Sequence, residues 1–176
     1  MFCVSKTSSP LSGIQLSLDV ANAEAGFRVT PPLRIALAEM AGFLVLCDRY
    51  IYTAFARDAV RGCEKPWLHK LYSFACHPDI TLFFNTPLPV ALNRILSGRP
   101  QLKYHEAGMD LGLAHDPYES FRIFQGRIYD EYLAMKDRFS FVEIDGTASI
   151  ENQQQHVREI ITTAIDLPRF RSRTLK

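Results

Sequence analysis

Apolar residues along this chain fall into two kinds of run. Phe43 to Cys47, Ile80 to Asn85 and Phe139 to Ile144 are apolar at nearly every position, the pattern of short buried strands. A strand apolar on both faces needs cover on both sides of its sheet. Elsewhere the apolar positions recur every three or four residues, as they do on one face of a helix. Pro66 opens one such segment, with Trp67, Leu71, Phe74 and Ala75 as its predicted inner face. Pro87 and Pro89 open another, which carries Val90, Ile95 and Leu96. Phe121, Phe124, Ile128, Tyr132 and Met135 mark a longer helix beginning after Asp116-Pro117, where the carboxylate can cap it. Ile150, Val157, Ile161 and Ala164 mark a last amphipathic helix.

Strands alternating with helices predict an α/β protein: three α/β/α layers around a mostly parallel central sheet. Sheets of this kind bind ligands at the carboxyl ends of their strands. Two stretches stand outside the pattern. Ser97 to Ala114, with Gly98, Gly108 and Gly112 among polar residues, is too long for an ordinary connection and is expected to be a mobile functional loop or a disordered insert. The first thirty residues are interrupted by Ser8-Ser9-Pro10 and Thr30-Pro31-Pro32, and between these breaks only Ile14 to Leu18 alternates like a strand.

Composition narrows the function classes. A length of 176 residues suits one domain, and 20 basic against 19 acidic residues leave a net charge of +1. No global field recruits nucleic acid or an anionic membrane, so any phosphate binding has to be local. Cys3, Cys47, Cys63 and Cys76 show no C-x-x-C and no zinc spacing with histidine, which predicts reduced thiols. His69, His77, His105, His115 and His156 likewise show no ligand spacing. No run is long enough to span a membrane, and the expected location is cytoplasmic. Residues 168–176, with Arg169, Arg171, Arg173 and Lys176, read as a basic solvated tail.

The candidate chemistry begins where the first apolar strand ends in Asp48-Arg49-Tyr50. A carboxylate at a strand's carboxyl end can hold Mg²⁺ directly or through water, and the adjacent guanidinium can take a phosphate bidentately. The plainer alternative is an ion pair within the protein.

Asp48-Arg49-Tyr50-Ile51-Tyr52-Thr53-Ala54-Phe55-Ala56 resembles the D-R-Y-x-x-S-x-x-A signature of the thymidylate kinases. Pro78 to Pro87, followed by Val90-Ala91-Leu92 and Arg94-Ile95, is similar to that family's P-D-L-T-L-Y-L-D-V-P…V-A-L-x-R-I segment. Phe121 to Leu133 resembles its F-x-x-x-R-x-x-Y-L helix, and Val142 to Gly146 its closing V-I-D strand. The resemblance implies a P-loop kinase-like fold and transfer of the ATP γ-phosphoryl group to thymidine monophosphate (dTMP), with Mg²⁺, in nucleotide biosynthesis. It also implies residue roles. Arg49 grips the acceptor phosphate, with Tyr50 and Thr53 beside it, and Asp48 helps place the metal or the acceptor. Arg99 is the candidate lid arginine, with Arg94 and Lys103 in reserve, in a lid at about residues 97–114. Phe74 and Tyr132 line the nucleoside pocket. A homodimer through the helices after the signature is implied as well.

The chain departs from the family at its start. No glycine is followed by Lys-Ser or Lys-Thr, so the G-x-x-x-x-G-K-[ST] loop that cradles donor phosphates is not among these residues. The domain expected at residues 32–167 therefore follows an atypical segment, 1–31, as in a truncated or fragmentary member. In the family the strand before that loop lies between the strand ending at Asp48 and the one beginning at Ile80. Ile14 to Leu18 or Phe2 to Val4 fills the gap, or the two halves close directly. Where the family usually has Tyr-Gln-Gly after the signature alanine, this chain has Arg57-Asp58-Ala59. The competing expectation is a catalytically inactive module that binds a nucleoside monophosphate or a protein partner.

Overall fold

The computed structural model describes residues 2–5, 44–99, 101–166 and 168. The predicted strand at Ile14 to Leu18, most of the atypical first segment and residues 169–176 of the basic tail lie outside the described residues.

Four strands form one sheet: β1 (Phe2–Ser5), β2 (Val45–Asp48), β3 (Ile80–Asn85) and β4 (Val142–Asp145), in the order β2-β1-β3-β4. β3 and β4 are parallel, with Leu82 opposite Val142 and Asn85 opposite Asp145. β1 is antiparallel to both its neighbours, Cys3 lying opposite Cys47 on one side and Thr81 on the other. β2, β3 and β4 therefore run the same way, and their carboxyl ends, Asp48, Asn85 and Asp145, lie along one rim. The gap anticipated between β2 and β3 is filled by Phe2–Ser5, in reversed direction. Without it both facing strand edges would leave their backbone groups without ladder partners.

The helices are α1 (Ile51–Val60), α2 (Lys65–Leu71), α3 (Leu88–Gly98), α4 (Pro117–Lys136) and α5 (Ile150–Ala164). Side chains alternate across the sheet, so β3 feeds two cores. Phe83 joins Ile51, Tyr52, Phe55, Phe124, Ile128 and Met135 under α1 and α4. Ile80, Leu82 and Ile144 join Ile165 on the opposite face, with Val157, Ile160 and Ile161 of α5 packed against them. These are the three expected layers.

α4 follows its sequence pattern closely. Asp116 caps it by accepting from the Glu119 N–H at 2.9 Å, Pro117 occupies the first turn, and Phe121, Phe124, Ile128 and Met135 are buried. α2 does not. It buries Leu68, with Tyr72 and Ala75 packed behind it, whereas Trp67, Leu71 and Phe74 are 54%, 45% and 61% exposed. The inner face is rotated by one residue, about 100° on a helix, and two turns are too short for the apolar spacing alone to fix it. At α5 the buried side is set by later residues, and Ile150, at its first position, is exposed. The last strand begins at Val142 rather than Phe139, because the end of α4 continues: Phe139 N–H donates to Met135 O at 3.0 Å and Phe141 N–H to Lys136 O at 2.9 Å.

Replacing Phe124, wholly buried between α4 and α1, with alanine is expected to lower unfolding free energy by about 3–5 kcal/mol. Chemical denaturation measured against the parent chain checks this.

Candidate functional site

The chain leaves β2 and enters α1 through Arg49, whose φ of 63° is left-handed. A residue with a Cβ pays for this conformation by about 1–3 kcal/mol, so the surrounding structure has to hold it there. The consequence is positional: Arg49 sits at the rim, beside the first turn of a helix that carries no acidic side chain in that turn. Peptide dipoles and N–H groups at that end favour an anion.

Thr53 and Arg57, four residues apart, lie on one side of α1, Arg49 precedes that helix, and all three line a cavity of about 760 Å³. Its opposite walls are aromatic, from Phe83 and Phe84 of β3, Phe121 and Tyr132 of α4, and Tyr104. Tyr132 Oη donates to Thr53 Oγ1 at 2.9 Å, fixing the middle of the α1 wall to α4. Lys103 and Gln125 also line the cavity. Tyr50 lies in an adjoining cavity of about 720 Å³, which shares Arg49, Thr53 and Arg57.

A third cavity, about 830 Å³, lies at the carboxyl ends of β3 and β4. Tyr129 Oη donates there to Asn85 Oδ1 at 2.9 Å, and Asn85 Nδ2 donates to Glu143 Oε1 at 2.7 Å. The Asn85 hydrogen bond and an ion pair with Lys136 hold the Glu143 carboxyl below its ordinary value, and Asp130 and Asp145 add further negative charge. That lining repels a phosphate, whereas the cavity beside Arg49 attracts one.

Residues 101–114 are built against this site. They contain a short 3-10 helix, Met109–Leu111, flanked by Gly108 and Gly112, both with left-handed φ. A Cβ at Gly108 would lie 2.6 Å from Cγ of Phe124, so the backbone there rests directly on that ring. Ser120 Oγ donates to Ala107 O at 2.7 Å, and Gln125 Nε2 to Glu106 O at 2.9 Å. Arg61, one turn beyond Arg57, donates to Asp110 Oδ2 at 3.2 Å while its guanidinium lies 4.6 Å from the centre of the Phe124 ring. The stretch expected as a loop or insert is thus docked on α4 and α1.

Four of the sequence-predicted residues, Arg49, Thr53, Lys103 and Tyr132, meet around the one cavity. Others lie elsewhere or are engaged. Phe74 is in the exposed turn after α2, away from the cavity lining. Arg94 donates to Gly146 O at 2.7 Å and ties α3 to the end of β4. Arg99 is ion-paired with Glu106 at the foot of the docked segment. Asp48 stands at the rim as an exposed carboxylate, and no group of three or more potential metal ligands occurs among the described residues. One carboxylate still suits Mg²⁺, which commonly keeps its waters and is shared with substrate phosphates, so Asp48 would hold it. For the donor phosphates of ATP the chain's residues do not supply the glycine-lysine cradle. Arg57 and Gln125 also line the cavity, with no role read for either in the sequence; the departure at Arg57-Asp58-Ala59 from the family's Tyr-Gln-Gly was the available signal for the first.

A central sheet covered by helices on both faces, with a basic strand end opening into an aromatic cavity, defines the class: a P-loop kinase-like α/β protein. No family model matches the chain. Relatives do. A probable thymidylate kinase 2 of Saccharolobus solfataricus is 39% identical over 127 residues, 71% of this chain and 59% of the relative. A probable thymidylate kinase of Thermococcus kodakarensis is 25% identical over 126 residues, 71% of this chain and 55% of that protein, and one of Metallosphaera sedula is 28% identical over 108 residues, 61% and 47%. The chain is similar over most of its own length to proteins named probable thymidylate kinase, consistent with a member of that family, and it spans about half the length of these relatives. Among the described residues no helix is long and apolar enough to cross a membrane.

The Arg61–Asp110 contact gives the docked segment a pH dependence. Desolvation pushes the Asp110 carboxyl up, but the Arg61 hydrogen bond, a backbone hydrogen bond and the charges of Arg61 and His105 outweigh it and hold it below the usual value. A depressed carboxyl stabilises the folded form above its unfolded pKa, and that contribution is lost as pH falls through the folded value. Asp110→Asn is expected to speed amide exchange in residues 103–112 by about fivefold at neutral pH, equivalent to about 1 kcal/mol. In the parent chain the same loosening sets in only on acidification below the usual carboxylate range.

Proposed function

We propose that this chain carries the acceptor half of a thymidylate kinase-like phosphotransferase, which moves the γ-phosphoryl group of ATP to dTMP to give dTDP. The observation that carries the reading is Arg49: a guanidinium held in a left-handed turn at a strand's carboxyl end, facing an aromatic cavity. The relatives named probable thymidylate kinase support it.

In this reading Arg49 takes the acceptor phosphate bidentately while the first turn of α1 adds its N–H dipoles. Thr53, held by Tyr132, sets the floor between phosphate and nucleoside, and the base lies among the aromatic walls. Phosphoryl transfer asks mainly for positioning and neutralisation of charge, which a guanidinium supplies without forming a covalent intermediate. In the family ATP supplies the transferred group and Mg²⁺ neutralises its oxygens; Asp48 is the carboxylate that would meet the metal. Lys103, with its ammonium at the cavity, is the cation best placed to approach the transferring group from the docked segment. The whole acts as a homodimer through the exposed Trp67, Leu71 and Phe74 face of α2 and the turn after it.

Calorimetric titration with dTMP is expected to show binding. Arg49→Ala is expected to weaken it by about a hundredfold, with an unchanged circular dichroism spectrum. Retained dTMP affinity in that variant would remove the assignment. For the dimer, Trp67→Glu is expected to convert a two-chain sedimenting species to one chain; an unchanged mass in that variant would place the contact elsewhere.

A further inference from the structure

The sheet sets two of the chain's four cysteines face to face. In the antiparallel ladder between β1 and β2, Cys3 lies directly opposite Cys47, with Phe2 opposite Asp48 and Val4 opposite Leu46 to either side. Positions directly opposed in such a ladder share a face of the sheet. Their Cα atoms are about 4.5 or 5.5 Å apart, according to the hydrogen-bonding pattern, and their Cβ atoms about 4.5–5.5 Å. A disulfide spans Cα separations of about 4.4–6.8 Å and Cβ separations of about 3.5–4.5 Å. Either kind of opposed pair therefore meets the backbone requirement, and the Cβ atoms have to close by about 1 Å at most. Cys47 is half-buried against the core under α1 and α4, which leaves a small oxidant some access to it. The other two cysteines have no opposed partner: Cys63 follows α1 and Cys76 follows α2, both outside the strands.

We propose that Cys3 and Cys47 form a redox-sensitive clamp, a modification site at which a small disulfide such as oxidised glutathione is reduced and a cross-strand disulfide forms. The thiolate of one cysteine attacks a sulfur of the oxidant, whose S–S bond breaks and releases one thiolate. The thiolate of the second cysteine then attacks the mixed disulfide and expels the other. Two protons pass from the protein thiols to the two small thiols produced, and two electrons pass from the protein to the oxidant. The bond ties the four-residue reversed strand β1 to the strand that delivers Asp48 and Arg49 to the rim. It closes a loop of roughly forty residues, which restricts the unfolded chain and so favours the folded one. Where the surroundings are reducing the pair stays as two thiols and the clamp is open. Its closure depends on the strand register alone and not on what the cavity beside Arg49 binds.

The test equilibrates the 176-residue chain in an oxidising glutathione buffer or in dithiothreitol, alkylates the remaining thiols under denaturing conditions, and maps unreduced peptides by mass spectrometry. The oxidised parent is expected to yield a peptide linked through Cys3 and Cys47 within one chain, and so is Cys63→Ser. Oxidation is expected to raise the parent's melting temperature by about 5–10 °C and to slow amide exchange in Val45–Asp48 by about tenfold or more. Cys47→Ser is expected to show neither effect. Glutathione adducts on both cysteines without a link would overturn the pairing, as would a link from either to Cys63 or Cys76, or one found only between two copies of the chain. A Cys3–Cys47 bond that changes neither melting temperature nor exchange would overturn the clamp.

Discussion

Phe124 occupies the point on which the site depends. Its ring is wholly buried in the core under α1 and α4, yet the backbone of Gly108 lies against one side of it and the guanidinium of Arg61 against another. One side chain therefore joins the sheet's helical cover, the docked segment at 101–114 and the far end of α1. Arg61 in turn fixes Asp110, and Ser120 and Gln125, on the same helix as Phe124, hold the carbonyls of Ala107 and Glu106. Together these contacts set Lys103 to Glu106 into the lining of the cavity beside Arg49.

Charge is distributed along the rim in a way that net charge conceals. A chain with a balance of +1 concentrates Arg49, Arg57 and Lys103 around one cavity and Asp130, Glu143 and Asp145 around another. The basic residues lie on elements that start at the rim, α1 and the docked segment, while the acidic ones come from β4 and the outer part of α4. Separation of this kind directs an anionic ligand to one end of a sheet whose strand ends would otherwise look alike.

Long, strongly periodic segments were the legible ones. α4 carries five apolar positions over four turns and an Asp-Pro start, so that its boundaries, cap and buried face all follow from composition and spacing. β3 is apolar at almost every position and emerges with the expected bounds. α2 failed because two turns offer too few positions to average over, and its orientation was decided by Leu68 meeting the core. The docked segment was illegible for another reason. Its order comes from side chains of α1 and α4 reaching across to its carbonyls, partners that no local pattern reveals. Of the site, the Arg49 end was readable because an Asp-Arg pair at a strand end is a local feature, while Phe74 and Arg94 were drawn elsewhere by packing and by the Gly146 carbonyl.

The reversed strand β1 bears on how the molecule comes together. Its partners, Cys47 on one side and Thr81 on the other, are far along the chain, so each ladder waits for a strand that comes about forty or about eighty residues later. Closing those loops costs entropy before any hydrogen bond repays it, and contacts so distant in sequence slow folding. β3 and β4, with α3, the docked segment and α4 between them, form a parallel unit with its own buried residues and are the natural early structure. As the chain is made, β1 would emerge before both its partner strands and pair only after them.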